Sequence, residues 1–246
     1  MINLTKADEH ATIDLTKGAA NAALEVRAQW VDNGDDNDGN DDLDLRCSIL
    51  MPDEQMYLID GEIRGDLKEL PYAWHHGDVV SASVDAPGEE IITVAKDIAK
   101  RAGGPVALCF SVYSALNNGE VSVASLQPRM VMSYGDQVVQ CQYDFRADKA
   151  ARSENVYTYV IGYAIVTETE VVLAPSGKTS EPGSESTPWP YWQNSELELE
   201  VDGPAVFKGD QASQSETYNK KMNIKKRFAN VGAKSGKKGF LSSLFG

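Results

Sequence analysis

This chain has few cysteines, few histidines and no apolar run of membrane-spanning length. Its three cysteines, Cys47, Cys109 and Cys141, are odd in number, far apart and outside any CxxC pair. That spacing excludes a disulfide or zinc framework and predicts buried thiols in a reducing compartment. No segment approaches the ~20 apolar residues that a membrane helix needs. The opening residues MINLTKADEH carry no apolar signal region, so a cytoplasmic location is expected. His10, His75 and His76 are the only histidines. His75-His76 beside Asp78 falls short of the three or four ligands that zinc requires. G-x-S-x-G, GxGxxG and HExxH patterns are all missing. Ser176-Gly177-Lys178-Thr179 ends like a phosphate loop, but Val172 stands where that loop needs its first glycine. The three cysteines are the sole candidates for redox chemistry on a small anion, and they fall in apolar strands. The chain is therefore expected to be non-enzymatic.

Basic residues are scarce too, with 23 Lys and Arg against 37 Asp and Glu. Between Trp30 and Arg46 there are none, while that stretch, VDNGDDNDGNDDLDL, holds seven aspartates. It ends in Asp42-Leu43-Asp44-Leu45, and in a strand alternate side chains share a face. Asp42 and Asp44 then project together while Leu43 and Leu45 face a core. Two carboxylates on one face repel unless solvated or bridged by a cation, and a hard divalent ion, Ca²⁺ first, suits oxygen ligands. The same composition also suits a solvated turn. The run is not an EF-hand: with Gly39 at the obligatory glycine, Gly34 and Leu45 fall at the first and closing ligand positions.

The net charge of −14 is unevenly distributed. Residues 217–246 contain eight Lys or Arg and no acid, so the remaining 216 residues, at −14 less those eight positive charges, carry −22. An acidic body fits cation binding and opposes nucleic acid.

Apolar or alternating segments at 24–30, 43–51, 56–60, 90–94, 106–114, 120–133, 137–143, 157–167 and 170–174 read as strands. Turn residues separate them at Pro52-Asp53, Asn117-Asn118-Gly119 and Gly135-Asp136. Single helical turns are expected at 95–102 and 147–152. This pattern predicts an all-β fold, an antiparallel two-sheet β-sandwich over residues 1–175. Residues 176–203 read as a Pro- and Ser-rich loop with an edge strand at 196–201, and Trp189, Tyr191 and Trp192 are expected to fold back over a sandwich edge. Residues 204–246 read as a basic tail, partly helical or disordered. Lys225, Lys226 and Arg227 precede a compact apolar end, Phe240, Leu241, Leu244 and Phe245. Such a tail can dock on anionic lipid at roughly 1 kcal/mol per basic residue, or on the acidic body of a neighbouring copy.

Several phrases resemble the tellurium-resistance and bacterial stress-protein family typified by TerD and TerA. They are INLTK and IDLTKG near the start, Trp30 before the acidic run, and DLDL at 42–45. His-Gly-Asp at 76–78, GEE at 88–90, VALCFSVYSALNNGEVSVAS at 106–125, and QYDF at 142–145 with the NVYTYVIGYAIV that follows complete the set. The resemblance runs from about Ile2 to Ala174 and is nearer to the TerA-like branch. It implies a two-sheet β-sandwich, Ca²⁺ at one edge, no enzymatic activity, and a binding or scaffolding role in stress or tellurite resistance. The implied partners are other Ter-type or stress proteins, and the tail, which lies outside the resemblance, adds further copies of the chain and the inner-membrane surface. Carried over by position, the metal residues are Asp42, Asp44, Asp78, Asp85, Glu89 and Glu90. The second acidic loop departs from the family pattern: VVSASVDAPGEE offers only Asp85 as an intervening carboxylate, which implies a weaker or degenerate site.

Overall fold

A computed structural model describes residues 1–18, 22–34, 41–83, 85–114, 123–153, 155–193 and 196–203. The tail and the 117–119 turn expected from the sequence lie outside the described residues.

Alternating and β-branched sequence builds fifteen strands among these residues. In chain order they are β1 (Ile2–Leu4), β2 (Ala11–Asp14), β3 (Leu24–Trp30), β4 (Asp44–Leu50), β5 (Met56–Ile59), β6 (Gly65–Asp66), β7 (Ala73–His75) and β8 (Gly88–Val94). A five-residue helix, α1 (Ile98–Ala102), follows and stops at Gly103, whose left-handed backbone (φ 79°) accommodates the exit. Then come β9 (Val106–Tyr113), β10 (Arg129–Tyr134), β11 (Gln137–Cys141), β12 (Thr158–Val166), β13 (Glu170–Ala174), β14 (Trp189–Gln193) and β15 (Glu196–Glu200).

The strands form two large sheets, a seven-stranded one in the order β1-β11-β10-β3-β8-β7-β6 and a six-stranded one in the order β2-β13-β12-β9-β4-β5. Their inner faces share one core, so the expected all-β sandwich is the fold. The pairings are antiparallel except β1 with β11, which run parallel. Two-residue alternation decides which side chains enter the core. On β3, Leu24, Val26, Ala28 and Trp30 point in; on β4, Leu45, Cys47 and Ile49 do. Gly135, at φ 57°, makes the two-residue turn between β10 and β11.

Two expected elements differ. The strand expected at 120–133 is a 3₁₀ turn at Val123–Leu126 followed by β10. Gln127 and Pro128 separate the two, and Gln127 takes a positive φ of 50° that a strand cannot hold. The ribbon of β14 and β15 forms a third layer on the outer face of the six-stranded sheet rather than covering its edge, while residues 178–180 bond alongside β12. Trp189 is buried against Leu50, Met56, Leu58, Ala107 and Ile165, with Tyr191 and Trp192 packed beside it. That outer face is apolar and needs a cover, which the ribbon of β14 and β15 supplies. Polar ties fix the layer: Ser48 Oγ donates to the Pro188 carbonyl, and Thr158 Oγ1 to the Ser186 carbonyl at 2.9 Å.

Trp30 closes one end of the core. Its indole N–H donates to the Asp41 carbonyl at 2.7 Å, and its ring lies flat over Gly88, its cross-strand partner. A Cβ on Gly88 would stand 2.0 Å from that ring. Gly88→Ala is therefore expected to cost about 1–3 kcal/mol by overpacking, read as a lower urea midpoint with unchanged slope. An unchanged midpoint would show that the indole can move aside.

Candidate functional site

The six carboxylates expected to share a metal come from two strands and two loops, and the pleat sends them to different surfaces. On β8, Gly88, Glu90, Ile92 and Val94 face inward while Glu89, Ile91 and Thr93 face out. Glu89 and Glu90 therefore lie on opposite sides of the sheet. Glu89 accepts from Arg27 Nη1 at 2.8 Å and from Gln29 Nε2 at 2.6 Å, and Arg27 also pairs with Glu25 at 2.7 Å. Glu89 belongs to a cross-strand network on the outer face of the seven-stranded sheet.

Glu90 is 2% exposed and sits between the sheets. The Leu45 N–H, from β4 of the opposite sheet, donates to Oε2 at 2.7 Å. The Val79 N–H donates to Oε1 at 2.9 Å. His75, fully buried on β7, brings Nε2 within 3.4 Å of Oε2. The Gly77 N–H donates to His75 Nδ1 at 3.0 Å, which makes Nδ1 an acceptor and leaves the neutral ring's proton on Nε2, toward Glu90. Burial raises the Glu90 carboxyl above its ordinary value, while His75 and the Leu45 and Val79 amides pull it back.

Asp44 opens β4 and, by alternation, shares the outward side with Arg46, Ser48 and Leu50; it stands directly across from Tyr113. Arg46 is buried there, its guanidinium 4.4 Å above the Tyr113 ring and bonded to Thr158 Oγ1 (3.1 Å) and Thr187 Oγ1 (3.3 Å). Asp42, half-buried, continues the same alternation. Asp78 is exposed and lies over Gly61, and Asp85 is exposed in the turn between Ser83 and Ala86.

Calcium needs six to eight oxygens converging on one point. The described residues do not bring these six carboxylates to one point. Both Glu90 oxygens accept backbone N–H groups inside the sandwich, Glu89 faces away from it, and Asp44 lies on the far side of the other sheet. Among the described residues, no group of three or more His, Cys, Asp or Glu side chains is arranged to hold a metal ion. Asp35, Asp36 and Asp38 of the acidic run, and Lys225, Lys226, Arg227, Phe240, Leu241, Leu244 and Phe245 of the tail, lie outside the described residues.

Sequence reading missed the inward direction of Glu90, although its two-residue spacing from Ile92 and Val94 carries that signal. It also missed Arg46 as a buried cation and Asp60, buried after β5, whose Oδ1 accepts the Glu62 and Ile63 N–H groups at 2.9 and 2.7 Å. His76 is exposed, bonded to Thr93 Oγ1 at 2.8 Å and tilted against Trp74. The cysteines are buried, and burial pushes Cys109 and Cys141 up to about 12 and Cys47 well above its ordinary value, so thiolate formation is disfavoured. A cleft of about 320 Å³ lined by Gln127, Gln142, Tyr143 and Asp144 contains none of the six carboxylates.

No family model matches the chain, and no curated protein matches it. Among solved structures, one described as "Crystal structure of unknown function protein SAV2460" is similar at 15% identity, over 65% of this chain and 92% of that one, with a TM-score of 0.47. The sandwich assignment rests on the sheets themselves. No helix among the described residues is long and apolar enough to cross a membrane.

Glu90→Ala is expected to cost about 3 kcal/mol or more, because the buried Leu45 N–H loses its acceptor at about 1–3 kcal/mol and a cavity opens. Glu90→Gln, which keeps one acceptor oxygen, should cost less. Folding raises the Glu90 pKa, so the native state holds the proton more tightly than the unfolded chain. Wild-type stability relative to Glu90→Gln should thus fall as pH rises from about 4.5 through the raised native value. Urea titrations of both proteins across that window provide the check; a flat difference would mean that Glu90 titrates alike in both states.

Proposed function

We propose that this chain is a non-enzymatic binding module of the bacterial stress and tellurite-resistance kind, working in the cytoplasm as an assembly or membrane-surface adaptor through its basic C-terminal segment. The observation that carries this reading is the fate of Glu90. At the position where the resemblance asks for a calcium ligand, the carboxylate is consumed as an inter-sheet tie. The acidic set is thereby divided among separate surfaces, which supports a degenerate metal site. Buried, protonated thiols supply no nucleophile, which supports a binding role over redox chemistry on a small anion. The part left to act is the charge asymmetry, an acidic sandwich with a basic, Phe-tipped end.

Anionic lipid attracts such an end by roughly 1 kcal/mol per basic residue near the surface, and four apolar side chains add insertion energy. Screening limits that attraction to a Debye length of about 8 Å at physiological salt, so contact must be close.

Calorimetric titration of the full chain with Ca²⁺, with Mg²⁺ as competitor, is expected to show no saturable micromolar site. Saturable binding that disappears in Asp42→Asn with Asp44→Asn would restore a calcium-gated module. Reversing Lys225, Lys226 and Arg227 to Glu in the full chain should reduce partition onto phosphatidylserine vesicles or reduce oligomer size. If both stay unchanged, the adaptor reading fails.

A further inference from the structure

Leu4 of β1 and Met130 of β10 both stand beside Cys141 of β11, so the residues just past these strand ends meet. Thr5 follows β1, Gln127 precedes β10, and Gln142 to Arg146 follow β11. Together they line the cleft of about 320 Å³. Its volume falls within the range of roughly 300–1,000 Å³ that small-molecule sites occupy.

The walls are held in place by the fold. The Gln142 N–H donates to the Leu4 carbonyl at 2.8 Å, and Gln140 Nε2 donates to Gln142 Oε1 at 2.7 Å, which fixes the carboxamide. The Thr5 N–H is tied to Glu9 Oε2 at 2.7 Å. The Tyr143 ring meets Phe145 edge to face at 5.0 Å, and Phe145 meets Tyr159 of the core in the same way at 4.8 Å. Gly177 packs so close to Tyr143 that a Cβ there would stand 2.6 Å from the ring. Gln127 holds a left-handed backbone at φ 50°, which costs a non-glycine residue energy, and such strain gathers at binding sites.

The chemistry of the lining narrows the ligand. Gln127 and Gln142 each present an acceptor and donors in one plane, and the Thr5 hydroxyl both gives and accepts. The charged side chains among the described lining residues, Asp144 and Arg146, pair with each other at 3.2 Å on the exposed rim, so the lining carries no net charge. A nucleobase wants a slot between two faces, and Tyr143 and Phe145, already in contact, leave none between them. A sugar ring suits all three features. It is neutral, its neighbouring hydroxyls give and accept in pairs that match planar forks, and its C–H groups pack on the negative face of an aromatic ring. We propose that this cleft binds a neutral pyranose. Gln127 and Gln142 hold adjacent hydroxyls, and Tyr143 takes the C–H face. The site lies on the sandwich and stands apart from the tail, so it adds a ligand to the adaptor reading and does not rest on it.

The test is saturation-transfer NMR on the full chain with the methyl glycosides of glucose, galactose, mannose and N-acetylglucosamine, and with adenosine as the contrasting ligand. At least one glycoside is expected to bind saturably in the millimolar range, with an affinity unchanged between low and high salt. Gln127→Gly removes the carboxamide while suiting the positive φ, and Gln142→Glu removes the N–H donors while keeping the acceptor for Gln140. Each should weaken binding about tenfold, the effect of one lost hydrogen bond to a ligand, with the urea midpoint showing that the fold is kept. A trisaccharide that binds tenfold tighter than its monosaccharide marks a glycan chain as the source, and equal affinity marks a free sugar; both support the site. No saturable glycoside, binding that ignores Gln127→Gly and Gln142→Glu alike, or tighter binding of adenosine overturns it. Vesicle partition belongs to the tail and should be the same in these variants, so the two readings fail separately.

Discussion

The sandwich depends on a single carboxylate between its layers. Two sheets pressed face to face hold together by non-directional apolar contact, which fixes their distance better than their relative slide. Glu90 adds direction. It projects from the seven-stranded sheet, takes the amide of Leu45 in the six-stranded one, and takes the Val79 amide of the segment entering β8. His75 stands beside it on the neighbouring strand, with Nε2 3.4 Å from Oε2. A charged group in such a place is tolerated only when its acceptors are used, and here they are. The same commitment removes Glu90 from ligand chemistry, so structure and function compete for one side chain and structure wins.

The outer faces are treated unequally. The seven-stranded sheet turns a charged network to solvent, with Arg27 between Glu25 and Glu89 and Gln29 bonded to both Glu89 and Arg129. The six-stranded sheet is buried on both faces, as β9 makes plain with all eight residues buried. A sheet of that composition has to be covered, and the ribbon around Trp189 covers it. Arg46 lies beneath this cover, over Tyr113, where threonine hydroxyls and an aromatic face stand in for water.

β3, β5 and β13 could be read from sequence nearly to the residue, whereas β14 fell in a stretch read as a loop. β1, β2, β6 and β7 could not be read: they hold two to four residues, too few for a period to emerge, and their existence depends on partners distant in the chain. The segment at 120–133 misled because its apolar residues continue through a turn. At the candidate site the residue types were legible and the directions were not. Glu89-Glu90 reads as an acidic pair on paper, yet adjacent strand residues always diverge. Asp42 and Glu90 needed the packing of two sheets before their separation was visible.

The placement of the first fourteen residues bears on how the chain assembles. β1 closes one sheet against β11, and β2 closes the other against β13. The earliest part of the chain therefore waits, unpaired, until nearly all of the sandwich has been synthesised, because its partners at Val139 and Val172 come so late. Contacts this distant in sequence close slowly, and the intermediates expose sheet edges meanwhile.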